Sequence, residues 1–180
     1  MKVTATALDG VMVIEPSIFA DARGYFFEGF NHQRFRELVA DVPFVQDNQS
    51  FSKKGVVRGL HYQIAPKAQG KLVRVLAGEI FDVVVDIRHG SPQFGRWTGV
   101  VLDADIKKQL WIPEGFAHGF QVLSETAEVL YKTTDYWSAE HERAIRWNDP
   151  TIGIDWPLKM NPVISDKDNA APLLSATTLA

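Results

Sequence analysis

Period-two alternation of apolar and polar residues, broken by turn chemistry about every ten residues, restricts this chain to β architectures. Leu72-Val73-Arg74-Val75-Leu76 and Ile80-Phe81-Asp82-Val83-Val84-Val85-Asp86-Ile87 read as strands, with Ala77-Gly78-Glu79 turning between them. Trp97 to Leu102, Gln109 to Ile112, His118 to Leu123 and Glu128 to Thr133 continue the pattern. A turn at Lys53-Lys54-Gly55 separates two more strand-like runs between Gln46 and Gln63. The best helix is Gln33 to Val39, for which Asn31 is a suitable N-cap. The expectation is an all-β sandwich or barrel with sparse helix. Without linker, repeat or low-complexity segment, residues 1–180 are expected to form one domain, with a peripheral tail from about Asn169.

Bulk chemistry removes several classes of function. The 180 residues carry a net charge of −3, so no global basic field invites nucleic acid or an anionic membrane. Any anionic ligand must be held by a few local cations. The chain has no cysteine, which excludes disulfides, thiolate metal sites and cysteine nucleophiles. The start, Met1-Lys2-Val3-Thr4-Ala5, lacks an apolar signal core, and no apolar run reaches membrane-spanning length. A soluble cytoplasmic protein is expected.

The chemistry-bearing residues concentrate between Gln46 and Gln63. Gln46, Asn48 and Ser50 fall on one strand face, and a face lined with amides builds a polar pocket better than a core. Arg58 and His61 are three apart, so a regular strand would oppose them; a bulge at Gly59 would bring both to one side. A lone histidine is more often satisfied by a carbonyl than catalytic, but Arg58, Tyr62 and Gln63 shift that balance. Lys71 shares a face with Val73 and Val75, an expensive place for an ammonium unless it snorkels at the strand mouth or has a task. Tyr131, in phase with Val129 and Thr133, reads alone as a core aromatic. Asp168 reads alone as a solvated loop carboxylate, and Arg23 with Glu28 as a surface pair of little energetic value.

Pro113-Glu114-Gly115-Phe116-Ala117-His118 has the Pro-x-Gly-x-x-His spacing of the second cupin metal motif. The position matching the first motif reads His61-Tyr62-Gln63, with no carboxylate after it. Two histidines and an amide make a poor set of metal ligands, and Lys71 would repel a cation. No metal and no cofactor are expected. No glycine-rich phosphate loop, nucleophile elbow or dinucleotide fingerprint occurs.

Taken together, Asp21-Ala22-Arg23-Gly24-Tyr25-Phe26, the Gln46 to Gln63 run, Gln69-Gly70-Lys71-Leu72-Val73-Arg74, Ser91-Pro92-Gln93-Phe94-Gly95, Ile112 to Phe120 and Trp147-Asn148-Asp149-Pro150 resemble the dTDP-4-dehydrorhamnose 3,5-epimerase family, the RmlC-like cupins. The resemblance runs from about Asp9 to Asp168, with Gly29 where threonine is expected and Trp137 where tyrosine is usual. It implies a cupin-like double-stranded β-helix, a jelly-roll barrel with a few short helices. It implies His61 as general base oriented by Asp168, Tyr131 as general acid, and Lys71 facing the sugar's ketone oxygen. His118 becomes a pocket residue rather than a metal ligand. Arg23, Glu28, Gln46, Asn48, Arg58, Glu142 and Lys167 fall at the family's substrate-contact positions. The implied partner is a dTDP-linked 4-keto-6-deoxyhexose, and the implied assembly a homodimer, with the segment from Arg23 to Glu28 a candidate to reach across it.

The physical chemistry agrees with this reading. C3 and C5 flank a C4 ketone, so an enolate can delocalise charge onto O4, and a neutral imidazole held in one tautomer can remove either proton. Lys71 can meet the charge on O4, Tyr131 can reprotonate from the opposite face, and Arg23, Arg58 and Lys167 suit a diphosphate. The expected function is metal-independent epimerisation at C3 and C5 in dTDP-L-rhamnose biosynthesis. A single-centre epimerase of a related nucleotide sugar is the nearest alternative. A non-catalytic sugar-nucleotide binder would not need both His61 and Tyr131, and Gln63 weakens a metal-dependent oxygenase.

Overall fold

The computed structural model describes residues 1–177. In chain order its elements are β1 (Lys2–Ala5), β2 (Met12–Glu15), β3 (Ile18–Asp21), β4 (Gly24–Phe27), α1 (His32–Leu38), β5 (Gln46–Lys53), β6 (Val57–Gln63), β7 (Lys71–Ala77), β8 (Glu79–Asp86), β9 (Trp97–Asp103), β10 (Gln109–Ile112), β11 (Phe116–Val122), β12 (Thr126–Thr133), β13 (Glu142–Ala144) and α2 (Asp166–Asn169). Each strand expected between Leu72 and Thr133 forms close to its expected bounds. The expected helix forms as α1, and the Asn31 side chain caps it by accepting from Arg34 N at 3.1 Å.

The strands pair antiparallel in three sheets among the described residues. One has the order β1-β2-β10-β7-β12-β5, the second β13-β6-β11-β8-β9, and β3 with β4 makes a separate hairpin. Val73 and Val75 of the first sheet meet Ile80, Val84, Phe116 and Phe120 of the second in one buried cluster, so the main core lies between them. A second cluster covers the other face of β6, β8 and β11 with Ile145, Ile152, Trp156 and Leu174. A third buries Phe35 of α1 against Trp111 and Phe44, with ring centroids 5.2 and 5.1 Å apart and edge-on geometry.

The expectation of an all-β jelly-roll barrel is corrected. β1 and β5 remain open edges of the first sheet, and β13 and β9 of the second, so the sheets do not close into a barrel. Helices are also integral: α1 supplies Phe35 to the third cluster, and α2 buries Asp168 beside β6. The fold is mixed α and β with three open sheets. Alternation in a sequence reports which face each side chain takes. Closure depends instead on hydrogen bonds between edge strands, which alternation does not encode.

The stretch from Asn169, expected at the periphery, buries Ala171 and Leu174, and Leu174 N donates to Asp149 Oδ2 at 2.6 Å. Residues 178–180 of that stretch lie outside the described residues. Among the described residues no helix is long and apolar enough to cross a membrane.

Strands β6 and β11 approach unusually closely where the site is built. His118 pairs with His61 and Phe120 with Arg58, so two residues of β6 oppose Gly119 alone. This is the bulge expected at Gly59. A Cβ at Gly119 would sit 2.5 Å from the Arg58 carbonyl oxygen and 3.2 Å from Gly59 Cα, both backbone atoms that cannot swing aside. Gly119→Ala is therefore expected to cost about 1–3 kcal/mol of stability, read as a lower denaturant midpoint at unchanged m-value. An unchanged midpoint would mean that the strands can separate freely here.

Candidate active site

The bulge and the amide-bearing strand together form a polar cleft of about 270 Å³. Gln46, Asn48 and Ser50 enter from β5, Arg58 and His61 from β6, Lys71 from β7, His118 from β11, Tyr131 from β12 and Glu142 from β13. The two face assignments made from the sequence are met: the β5 amides share the cleft, and Arg58 and His61 stand on its same side. The Gln46 Nε2 amide donates to Asn48 Oδ1 at 2.9 Å, and its oxygen accepts from Trp137 N at 3.0 Å. Arg58 Nε donates to Ser52 Oγ at 3.0 Å.

His61 is half-buried, and its Nε2 lies 2.7 Å from Asp168 Oδ1. The other Asp168 oxygen accepts from Gly59 N at 3.1 Å. Asp168 is held in turn because its own N–H donates to Ser165 Oγ, the N-cap of α2, at 3.1 Å. Burial pushes the Asp168 carboxyl up, but the His61 hydrogen bond and charge, the Gly59 N–H and Lys167 outweigh it. The group lies below the ordinary carboxylate range. An ionised Asp168 makes Nε2 the donor, which leaves the His61 Nδ1 lone pair for the cleft.

Lys71 is buried at the inner end of β7, and its Nζ donates to the His61 carbonyl at 3.2 Å. Burial lowers it to about 8, against the opposing pull of Asp82 and Glu142. The Tyr131 phenol is pushed up by burial, with Glu142 adding to the rise and Arg58 opposing it, so it keeps its proton at neutral pH. A hydrogen-bond donor, a neutral acid and an oriented imidazole therefore share one cleft.

The remaining sequence candidates divide. Lys167 pairs with Glu142 at 2.5 Å, at the cleft's rim. Arg23 pairs with Asp21 at 2.6 Å on the exposed β3–β4 turn, and Glu28 accepts from Asn31 Nδ2 at 3.1 Å. Neither lines this chain's own cleft. Gln63, the residue that departs from a metal motif, is engaged in structure: it donates to the Lys67 and Tyr136 carbonyls and accepts from Ser138 N. Among the described residues no group of three or more His, Asp or Glu side chains converges as a metal site.

One residue escaped the sequence reading. Asp82 is fully buried, and both its oxygens lie against His118 Nε2, at 2.9 and 3.0 Å. Its signal was present: Ile80, Asp82 and Val84 share an inward strand face, where a carboxylate is as expensive as the ammonium of Lys71.

A His–Asp pair, a phenol and a lysine around one polar cleft are groups suited to proton transfer. The dTDP-4-dehydrorhamnose 3,5-epimerase family model matches residues 5–176. The dTDP-4-dehydrorhamnose 3,5-epimerase of Salmonella typhimurium is 58% identical over 180 residues, 99% of this chain and 98% of that protein. The same enzyme of Pseudomonas aeruginosa is 59% identical over 169 residues, 93% of each. A crystal structure of dTDP-6-deoxy-D-glucose-3,5-epimerase from Legionella pneumophila Philadelphia 1, in complex with dTDP-4-keto-L-rhamnose, superposes with a TM-score of 0.95 at 53% identity, covering 98% of this chain and 94% of that one. The chain belongs to the dTDP-4-dehydrorhamnose 3,5-epimerase family and is a carbohydrate epimerase.

The Asp168 geometry has a consequence for stability. Its folded pKa is depressed, so its contribution is complete above the unfolded carboxyl value of about 3.9 and disappears as pH falls through the folded value. Denaturant midpoints of the parent and Asp168→Asn proteins, measured from pH 7 down to pH 2, are expected to differ by a constant amount above about pH 5 and to converge below about pH 4. Parallel curves would show that the Asp168 charge adds nothing to the fold.

Proposed function

We propose that the epimerase chemistry of this chain runs through His61 as general base, Asp168 as its orienting partner, Tyr131 as general acid and Lys71 as stabiliser of the ketone oxygen. The activity to be explained is dTDP-4-dehydrorhamnose 3,5-epimerisation in dTDP-L-rhamnose biosynthesis, on a dTDP-linked 4-keto-6-deoxyhexose. The observation that carries the assignment is the 2.7 Å contact between His61 Nε2 and Asp168 Oδ1.

The Nδ1 lone pair of His61 takes the proton from C3 or C5, and the C–H electron pair moves into the ring to form the enolate. Negative charge collects on O4, where the Lys71 ammonium meets it. One such donor typically contributes roughly 2.7–4 kcal/mol to the transition state. Tyr131 delivers a proton to the opposite face, which inverts the centre; His61 then releases its proton to solvent and the Tyr131 phenolate recovers one, which resets both groups. Since both carbons adjoin one ketone, the same four groups serve both inversions once the sugar re-presents its second C–H to His61. Arg58 and Lys167 supply positive charge for the diphosphate.

A homodimer belongs to the same reading. Phe19, Tyr25 and Phe26 on the β3–β4 hairpin are 65%, 60% and 71% exposed, an apolar surface suited to burial against a second copy. Arg23 and Glu28, distant from their own cleft, would then serve the partner's.

Turnover in D₂O is expected to place deuterium at both C3 and C5. His61→Asn should lose turnover and wash-in at both carbons while folding normally. Tyr131→Phe should retain wash-in at one carbon and lose complete inversion. Substantial turnover by a folded His61→Asn protein would remove the base assignment, and label at C3 alone in the parent would make it a single-centre epimerase. Because Lys71 must stay protonated, kcat/KM should fall as pH rises through about 8. Exhaustive chelation should leave activity unchanged; loss restored by one divalent ion would refute the metal-free mechanism.

A further inference from the structure

The proposed reaction leaves one costly group without a task. Asp82 has no exposed surface, and among the described residues its side chain hydrogen-bonds only to His118. A buried carboxylate with one imidazole partner is a poor stabiliser, since an apolar residue of similar size would pack there against Ile80 and Val84 at no desolvation cost. Its placement is informative instead. On β8 it pairs with Phe120 of β11 and Val100 of β9, two positions from the strand pairing of Val84 with His118 and therefore on the same sheet face. His118 presents its Nε2 to this carboxylate while its ring lines the cleft with Lys71.

We propose that Asp82 is a positioning residue of the epimerase site: its buried charge fixes His118 with Nδ1 toward the cleft and anchors the ammonium of Lys71 opposite the substrate's ketone. The last part rests on the role given above to Lys71. The titratable groups that line the cleft with Lys71 are Arg58, His61 and Tyr62 from β6, His118 from β11, Tyr131 from β12 and Glu142 from β13, and Asp82 of β8 stands against His118. Of these, Asp82 and Glu142 bear the charges that oppose the effect of burial on Lys71, and Asp82 acts more strongly. Glu142 is tied to Lys167, which dilutes its charge, whereas Asp82 faces only a histidine. Asp82 thus forms a second carboxylate–histidine pair, and a deeper one. The His61–Asp168 pair moves protons; the His118–Asp82 pair holds fixed charge and geometry.

The test is the Asp82→Asn variant, which keeps the shape and an acceptor for His118 while removing the charge. Lysine labelled with ¹³C at Cε, assigned by the signal absent from Lys71→Arg, titrates Lys71 directly in the free protein without reference to catalysis. The Lys71 titration is expected to move down by about one unit in Asp82→Asn; an unmoved titration in a folded variant overturns the proposal. The basic limb of kcat/KM should move with it. If the titration moves and the limb does not, Asp82 still anchors Lys71 and the reading of Lys71 as ketone stabiliser falls. Imidazole ¹⁵N shifts of the unsubstituted protein give a measurement that survives even a poorly folding variant. His118 is expected with its Nε2 protonated toward Asp82, and a neutral ring protonated only on Nδ1 overturns the proposal.

Discussion

The contact between His61 and Asp168 depends on nearly every other feature of the structure. The two residues are 107 positions apart, so the hydrogen bond exists only because α2 docks beside the bulged strand β6. Asp168 receives three converging supports: the imidazole, the Gly59 N–H and its own capped helix turn. A buried carboxylate is tolerable only with such satisfaction, because one missing partner leaves an uncompensated charge. The bulge opposite Gly119 serves the same end. It rotates His61 into the cleft beside Arg58, and it frees Gly59 N from the ladder so that the amide can hold Asp168. A local departure from strand regularity is therefore what builds the site.

The limits of the sequence follow from the same geometry. Alternation along β5 and β7 was sufficient to place Gln46, Asn48, Ser50 and Lys71 inward, because side-chain direction in a strand is a local property. The helix α1 was legible from its cap and periodicity. Closure was not, since β1, β5, β9 and β13 end their sheets through the absence of an edge partner, which no local pattern records. Asp168 looked like a solvated loop residue for the same reason: its burial comes from a strand more than a hundred residues away. The part proposed for it was suggested only by family resemblance. Asp82 belongs to the locally legible class, since its phase with Ile80 and Val84 puts a carboxylate on an apolar strand face, but its partner His118 lies on another strand and no local pattern records that pairing. Arg23 and Glu28 illustrate the opposite case, residues marked by resemblance whose surroundings in one chain contain no cleft.

The cleft can be understood as a balance between two kinds of burial. On the faces of β7, β8 and β11 that meet in the main core, Lys71, Asp82 and His118 form a polar patch. An isolated ammonium there would surrender its proton, and burial alone drives Lys71 in that direction. The nearby carboxylates restore part of the loss, leaving it at about 8, where it is charged at neutral pH yet weakly held. That state suits the part proposed for Lys71, whose interaction must strengthen as charge grows on a ketone oxygen. An ammonium locked in a tight ion pair would have spent its attraction before the substrate arrived, whereas among the described residues Lys71 makes its one hydrogen bond to a neutral carbonyl. Keeping Asp82 on His118 rather than on Lys71 is what permits this. The carboxylate acts on the lysine through its field, while its hydrogen bonds are consumed by the imidazole, so the ammonium stays charged and its donors stay free.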